Sequence, residues 1–108
     1  MNGPAPSPRP SDAFDALGDA NRRAIVESLG EREKSVGELA VELPISRPAV
    51  SRHLRLLKGA GLVTDRADGT RRIYRLSTEG VQAAADYFTE VWGDVAARFT
   101  LVVENLED

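Results

Sequence analysis

The chain has 108 residues, enough for one small domain whose core is modest relative to its surface. It contains no cysteine, which excludes disulfides, thiolate metal sites and thiol redox chemistry. No apolar run approaches the roughly 18 residues of a membrane span and no signal-peptide pattern opens the chain, so a soluble cytoplasmic protein is expected.

The net charge of −3 argues against nucleic acid only until its distribution is examined. Ser46 to Arg75 carries eight Arg/Lys against Asp65 and Asp68, a net +6, whereas Leu76 to Asp108 nets −6 and the first 45 residues −3. One basic block in an acidic chain marks a localised phosphate-binding face; the plainer alternative is a solvated charged surface.

In chain order, residues 1–10 hold four of the six prolines and almost no large apolar side chain, the composition of a disordered tail. A single domain is expected over residues 11–108. Ser11 is expected to cap a short helix carrying Phe14 and Leu17, and Asp19 the next, with Ile25, Val26 and Leu29 on its apolar side. Arg22 and Arg23 fall in the first turn of that second helix, an unfavourable end for positive charge unless a phosphate or a neighbouring acid offsets it. Ser35-Val36-Gly37-Glu38 reads as a capping box opening a third helix that stops at Pro44.

A fourth helix follows over about residues 46–59. Ser46 starts it, Pro48 is tolerated in the first turn, and Val50, Leu54 and Leu57 form one apolar face. Arg47, Ser51, Arg55 and Lys58 recur on another face, with Arg52 beside them. Two helices joined by a short turn, the second basic and exposed, make a helix-turn-helix whose second helix is shaped to enter a DNA major groove. Arg47 and Arg52 can each pair with guanine O6 and N7, and Ser51 permits close approach; Arg55 and Lys58 suit phosphates. His53, the only histidine, falls at the border of the apolar face and is read as packed or phosphate-contacting.

Residues 62–76 read as a hairpin wing, with Leu62-Val63-Thr64 and Arg71 to Leu76 as strands and Ala67-Asp68-Gly69-Thr70 as the turn. Arg71 and Arg72 near its tip suit the DNA backbone or minor groove, or serve as plain edge-strand charges. A last helix over about residues 78–106 carries Val81, Ala85, Phe88, Trp92, Val95, Phe99, Val102 and Leu106 at alternating steps of four and three. A small domain can hardly bury all of that stripe, so the remainder is expected to meet a second subunit; the plainer alternative is burial entirely within the chain. Phe14, Leu17, Phe88, Trp92, Val95, Phe99 and Val102 are therefore the expected dimerisation residues. Asp86 and Glu90 share a face of the same helix but have no histidine near them, so an enzyme finds no support.

The stretches Ala16-Leu17-Gly18-Asp19-Ala20-Asn21-Arg22-Arg23, Val36-Gly37-Glu38-Leu39-Ala40, Ser46 to Leu54, Leu57 to Leu62 and Arg71 to Leu76 together resemble the ArsR/SmtB family of winged-helix repressors. The resemblance implies a mostly α fold of order α-α-α-α-β-β-α, with a β-hairpin wing and a homodimer joined through its terminal helices. It implies a repressor bound to palindromic double-stranded DNA, often at its own operon. The expected DNA contacts are Ser46, Arg47, Pro48, Ser51, Arg52, His53, Arg55, Lys58, Arg71 and Arg72. The family's metal sites use cysteines in the helix before the turn or histidine-carboxylate sets in the last helix. Neither set is present here, so the chain is closer to the metal-independent members, with no metal, no cofactor and an unknown small-molecule effector. Trp92 and Phe88 suit a ligand pocket or, more simply, a core. The competing readings are a winged helix used for protein contacts and a regulator sensing a small ligand or an oxygen-bound metal.

Overall fold

The computed structural model describes residues 8–106. Its elements run α1 (Pro10–Ala16), α2 (Ala20–Glu31), β1 (Lys34–Ser35), α3 (Val36–Glu42), α4 (Arg47–Gly59), β2 (Val63–Asp68), β3 (Arg71–Leu76) and α5 (Thr78–Leu106). Residues 1–7 of the expected tail lie outside the described residues. Pro10, assigned to that tail, instead opens α1: proline lacks an N–H that the first turn leaves unpaired anyway. Arg9 rather than Ser11 is the N-cap, its N–H donating to the Asp12 carboxylate at 2.8 Å.

Local chemistry sets the other helix starts. Asp19 Oδ1 accepts from the N–H groups of Asn21 and Arg22 at 2.8 and 3.1 Å. Ser35 Oγ accepts from the Glu38 N–H while Glu38 Oε1 accepts from the Ser35 N–H, each at 3.1 Å. Helix α4 ends in a Schellman arrangement, with the Leu62 N–H donating to Leu57 O and the Gly61 N–H to Lys58 O, both at 3.0 Å.

The side chains of Arg22 and Arg23 meet backbone carbonyls rather than the phosphate or acid that the sequence suggested. Arg22 Nε donates to Ala16 O at 2.6 Å and Arg23 Nη1 to Leu17 O at 2.8 Å. The two guanidinium groups thus close the carbonyl end of α1, where positive charge is favoured. Ile25, Leu39, Val50, Leu54 and Leu57, fully enclosed, bring α2, α3 and α4 around one core, which Leu62 and Val63 extend towards the hairpin.

The expected element order lacks β1. This two-residue strand pairs antiparallel with β3, Lys34 opposite Tyr74 and Ser35 opposite Ile73, giving a three-stranded sheet in the order β1-β3-β2. Two residues show no alternation, and Ser35 doubles as a helix cap, so nothing local announces a strand. The hairpin loop is Gly69-Thr70, closed by Asp68 opposite Arg71, one residue later than the expected turn. Gly69 has φ +62° and Thr70 does not share the positive φ, which is the glycine-first two-residue turn that matches strand twist.

Helix α5 runs for 29 residues and buries none of them fully. Its first turn is wedged against the end of α4: Ser77 N–H donates to Leu62 O at 2.8 Å, and a Cβ on Gly80 would fall on the Gly61 carbonyl oxygen. Phe14 of α1 then meets Tyr87 in a tilted pair and stacks on Phe88, with ring centroids 5.6 and 6.0 Å apart. Among the described residues no helix is long and apolar enough to cross a membrane.

Candidate nucleic-acid interface

Ser46 Oγ accepts from the Ala49 N–H at 3.3 Å and fixes the first turn of α4. From that start, helical periodicity turns Val50, His53, Leu54 and Leu57 inward and leaves Arg47, Pro48, Arg52, Arg55 and Lys58 exposed, with Ser51 half-buried between them. A concave trough separates the N-terminal half of α4 from the hairpin tip, with Gly37, Arg47, Ser51, Thr70, Arg71 and Arg72 in its walls. Arg47 lies over Gly37, where a Cβ would sit 3.6 Å from its guanidinium. Arg47, Arg52 and Arg55 make no ion pair among the described residues.

Four residues expected to meet DNA have partners within the chain. His53 is only 7% exposed and faces α2, with Nδ1 3.4 Å from Arg22 Nη1; the structure withdraws it from the outward face because its position on the wheel is completed by the packing of α2. Lys58 and Arg72 converge on Asp65: Lys58 Nζ lies 2.8 Å from Oδ1, and Arg72 reaches Oδ2 through Nη2 at 2.8 Å and Nε at 3.0 Å. The Lys58 and then the Arg72 hydrogen bond hold the Asp65 carboxyl below the usual carboxylate range. Arg71 pairs with Asp68 at 3.3 Å, both exposed.

Sequence reasoning missed Asp65 as a structural partner. The available signal was the strand alternation, which puts it on the same face of β2 as buried Val63. It also missed Lys34, which is 1% exposed. The Lys34 ammonium binds Ser28 Oγ at 2.7 Å, Glu31 Oε2 at 3.2 Å and both oxygens of Glu42 at 2.8 and 3.0 Å. The hydrogen bond to Glu42 raises Lys34 above its ordinary value against the effect of burial, and the same bond lowers Glu42.

The expected dimerisation residues divide. Leu17 packs against the core and Phe14 stacks on α5 within the chain. Phe88 and Trp92 stack on each other at 6.1 Å yet stay about half exposed, and Val95, Phe99 and Val102 lie open to solvent.

Residues 19–65 match the sequence profile of the bacterial regulatory protein, arsR family. Over 99 residues the chain is 44% identical to the HTH-type transcriptional regulator Rv2034 of Mycobacterium tuberculosis, covering 92% of each. The chain belongs to the ArsR family. It is also 38% identical to the arsenical resistance operon repressor of Escherichia coli over 98 residues, covering 90% of this chain and 84% of that one. A solved structure described as a "possible transcriptional regulator for arsenical resistance" superposes with a TM-score of 0.73 at 39% identity, covering 83% of this chain and 94% of that one. The ArsR relatives are transcriptional regulators rather than enzymes, and this chain is a DNA-binding transcriptional regulator with their winged helix-turn-helix fold. Helices α3 and α4 are the helix-turn-helix and β2–β3 the wing.

Proposed function

We propose that the protein is a homodimeric repressor of its own or a neighbouring operon, reading a palindromic operator with two copies of α4. The observation that carries this reading is the outward face of α4, where Arg52 is exposed and Arg47 and Ser51 line a trough shared with Arg71 and Arg72 of the hairpin. The N-terminal half of a recognition helix reaches deepest into the major groove, which gives Arg47, Ser51 and Arg52 base contacts. Ser46 and Pro48 set the approach of that first turn, and Arg55, Lys58, Arg71 and Arg72 take phosphates. A second copy covers Phe88, Trp92, Val95, Phe99 and Val102 of α5 and places the two recognition helices about one DNA turn apart.

Regulation without metal is part of this reading, since the chain has no cysteine to supply thiolate ligands. A gel shift with fragments of the protein's own promoter and of the neighbouring promoters tests the reading. One palindromic fragment is expected to bind tightly, with affinity falling steeply as salt rises and unchanged by chelator. Binding that is absent from every fragment, or insensitive to salt, overturns it.

A further inference from the structure

We propose that Asp65 is a specificity-determining residue, one that never touches DNA but restrains Lys58 and Arg72 so that they serve only a backbone passing where their heads already lie. The inference rests on the DNA-binding reading above. Cations on long, free side chains follow any phosphate and supply affinity that carries no sequence information. Lys58 and Arg72 are not free in this way. They come from different elements, the last turn of α4 and the strand β3, and they meet on opposite oxygens of one carboxylate.

The Asp65 side chain is 7% exposed while each cation keeps 54% of its side chain in solvent. The anion lies beneath the two heads, which still face outward. Pulling either cation away would break one arm of a shielded two-cation cluster, which holds the two heads more firmly than an ion pair exposed at both ends does. The remaining ion pairs of the basic block differ. Arg71–Asp68 and Arg66–Glu33 are exposed at both ends and break at little cost. Asp65 therefore ties the wing to the recognition helix. It also reduces the local charge from two to one, so about one counterion fewer is released on binding to unrelated DNA.

The test compares the wild type with Asp65→Asn on two probes across a salt series. One is a duplex that the wild type enriches from a randomised pool, the other poly(dI-dC). The variant is expected to bind poly(dI-dC) about 3–10-fold tighter at 0.1 M salt, with a log–log salt slope steeper by about one. Discrimination between the two probes should fall at least about threefold. Equal slopes and equal discrimination in a folded variant overturn the role of Asp65. If Asp65→Asn does not fold, Asp65→Asn with Lys58→Met keeps the net charge and leaves no buried ion unpaired. Here the slope should hold while discrimination falls, and unchanged discrimination overturns the proposal. A wild type that enriches no duplex refutes the DNA-binding reading itself, whereas an enriching wild type with an indifferent variant refutes only Asp65.

Discussion

The outward arginines of α4 and the inward lysine of β1 show how differently two cations can be used. Arg47 and Arg52 are exposed and unpaired among the described residues, so a bidentate contact to guanine displaces only water. Arg47→Ala or Arg52→Ala should each cost about 1–3 kcal/mol of operator affinity and relax one base position, whereas Arg55→Ala should weaken all duplexes alike and reduce the salt slope by about one. Titration of single-base operator variants distinguishes the two patterns. Lys34 is enclosed and committed to Ser28, Glu31 and Glu42. The hydrogen bond from Lys34 lowers Glu42, that from the Ser35 N–H lowers Glu38, and that from the Arg22 N–H lowers Asp19. A carboxyl lower in the folded than in the unfolded chain contributes stability that is complete above the unfolded value of about 4 and lost as pH falls through the folded one. The melting temperature should therefore be flat from pH 6 to 8 and drop below about pH 4.5, less steeply in Glu42→Gln. Lys34 has the opposite sign: its raised value keeps its contribution complete below about pH 10.4. Caps such as Asp19, Ser35 and Ser46 are legible in the sequence because donor and acceptor lie within three residues. Lys34 and Asp65 are not, because a lone charge in a polar stretch looks the same whether its partner is solvent or a carboxylate from another element.

At the scale of elements, periodicity decided what the sequence could reveal. The apolar stripes of α4 and α5 and the alternation of β3 run long enough to fix helix, strand and facing, and the structure keeps them. The two residues of β1 carry no period, and their pairing with β3 exists only because α2 and α3 bring Lys34 beside Tyr74. The hairpin register moved by one residue because Asp68-Gly69 and Gly69-Thr70 both offer a two-residue loop. Pairing of Asp68 with Arg71 selects the second. The junction of α4 and α5 is also tertiary: Gly80 is a mid-turn helical residue whose replacement by alanine would ordinarily favour the helix. Here the added Cβ collides with the Gly61 carbonyl, so Gly80→Ala should destabilise by about 1–3 kcal/mol, read as a lower denaturation midpoint. Gly93→Ala, with open space around its Cβ, should instead stabilise by about 0.5–1 kcal/mol.

For the whole molecule, the unequal burial of α5 separates folding from the self-association proposed above. Phe88 belongs to both, since it stacks on Phe14 within the chain while half its surface stays open. Phe99 lies more than two turns further along, is 68% exposed and serves no part of this chain's own core. A charge at the two positions should therefore act differently. Phe88→Glu should lower the melting temperature of the domain as well as its mass in solution. Phe99→Glu should leave helicity and the DNA-binding domain intact but halve the mass measured by light scattering. Each α4 would then bind a half-site alone, without the effective concentration that a tethered second reader provides. Operator affinity should fall by about 10²–10⁴-fold while the affinity of a single half-site stays unchanged. A Phe99→Glu protein that keeps both its dimeric mass and its operator affinity would place the subunit contact elsewhere than on the distal face of α5.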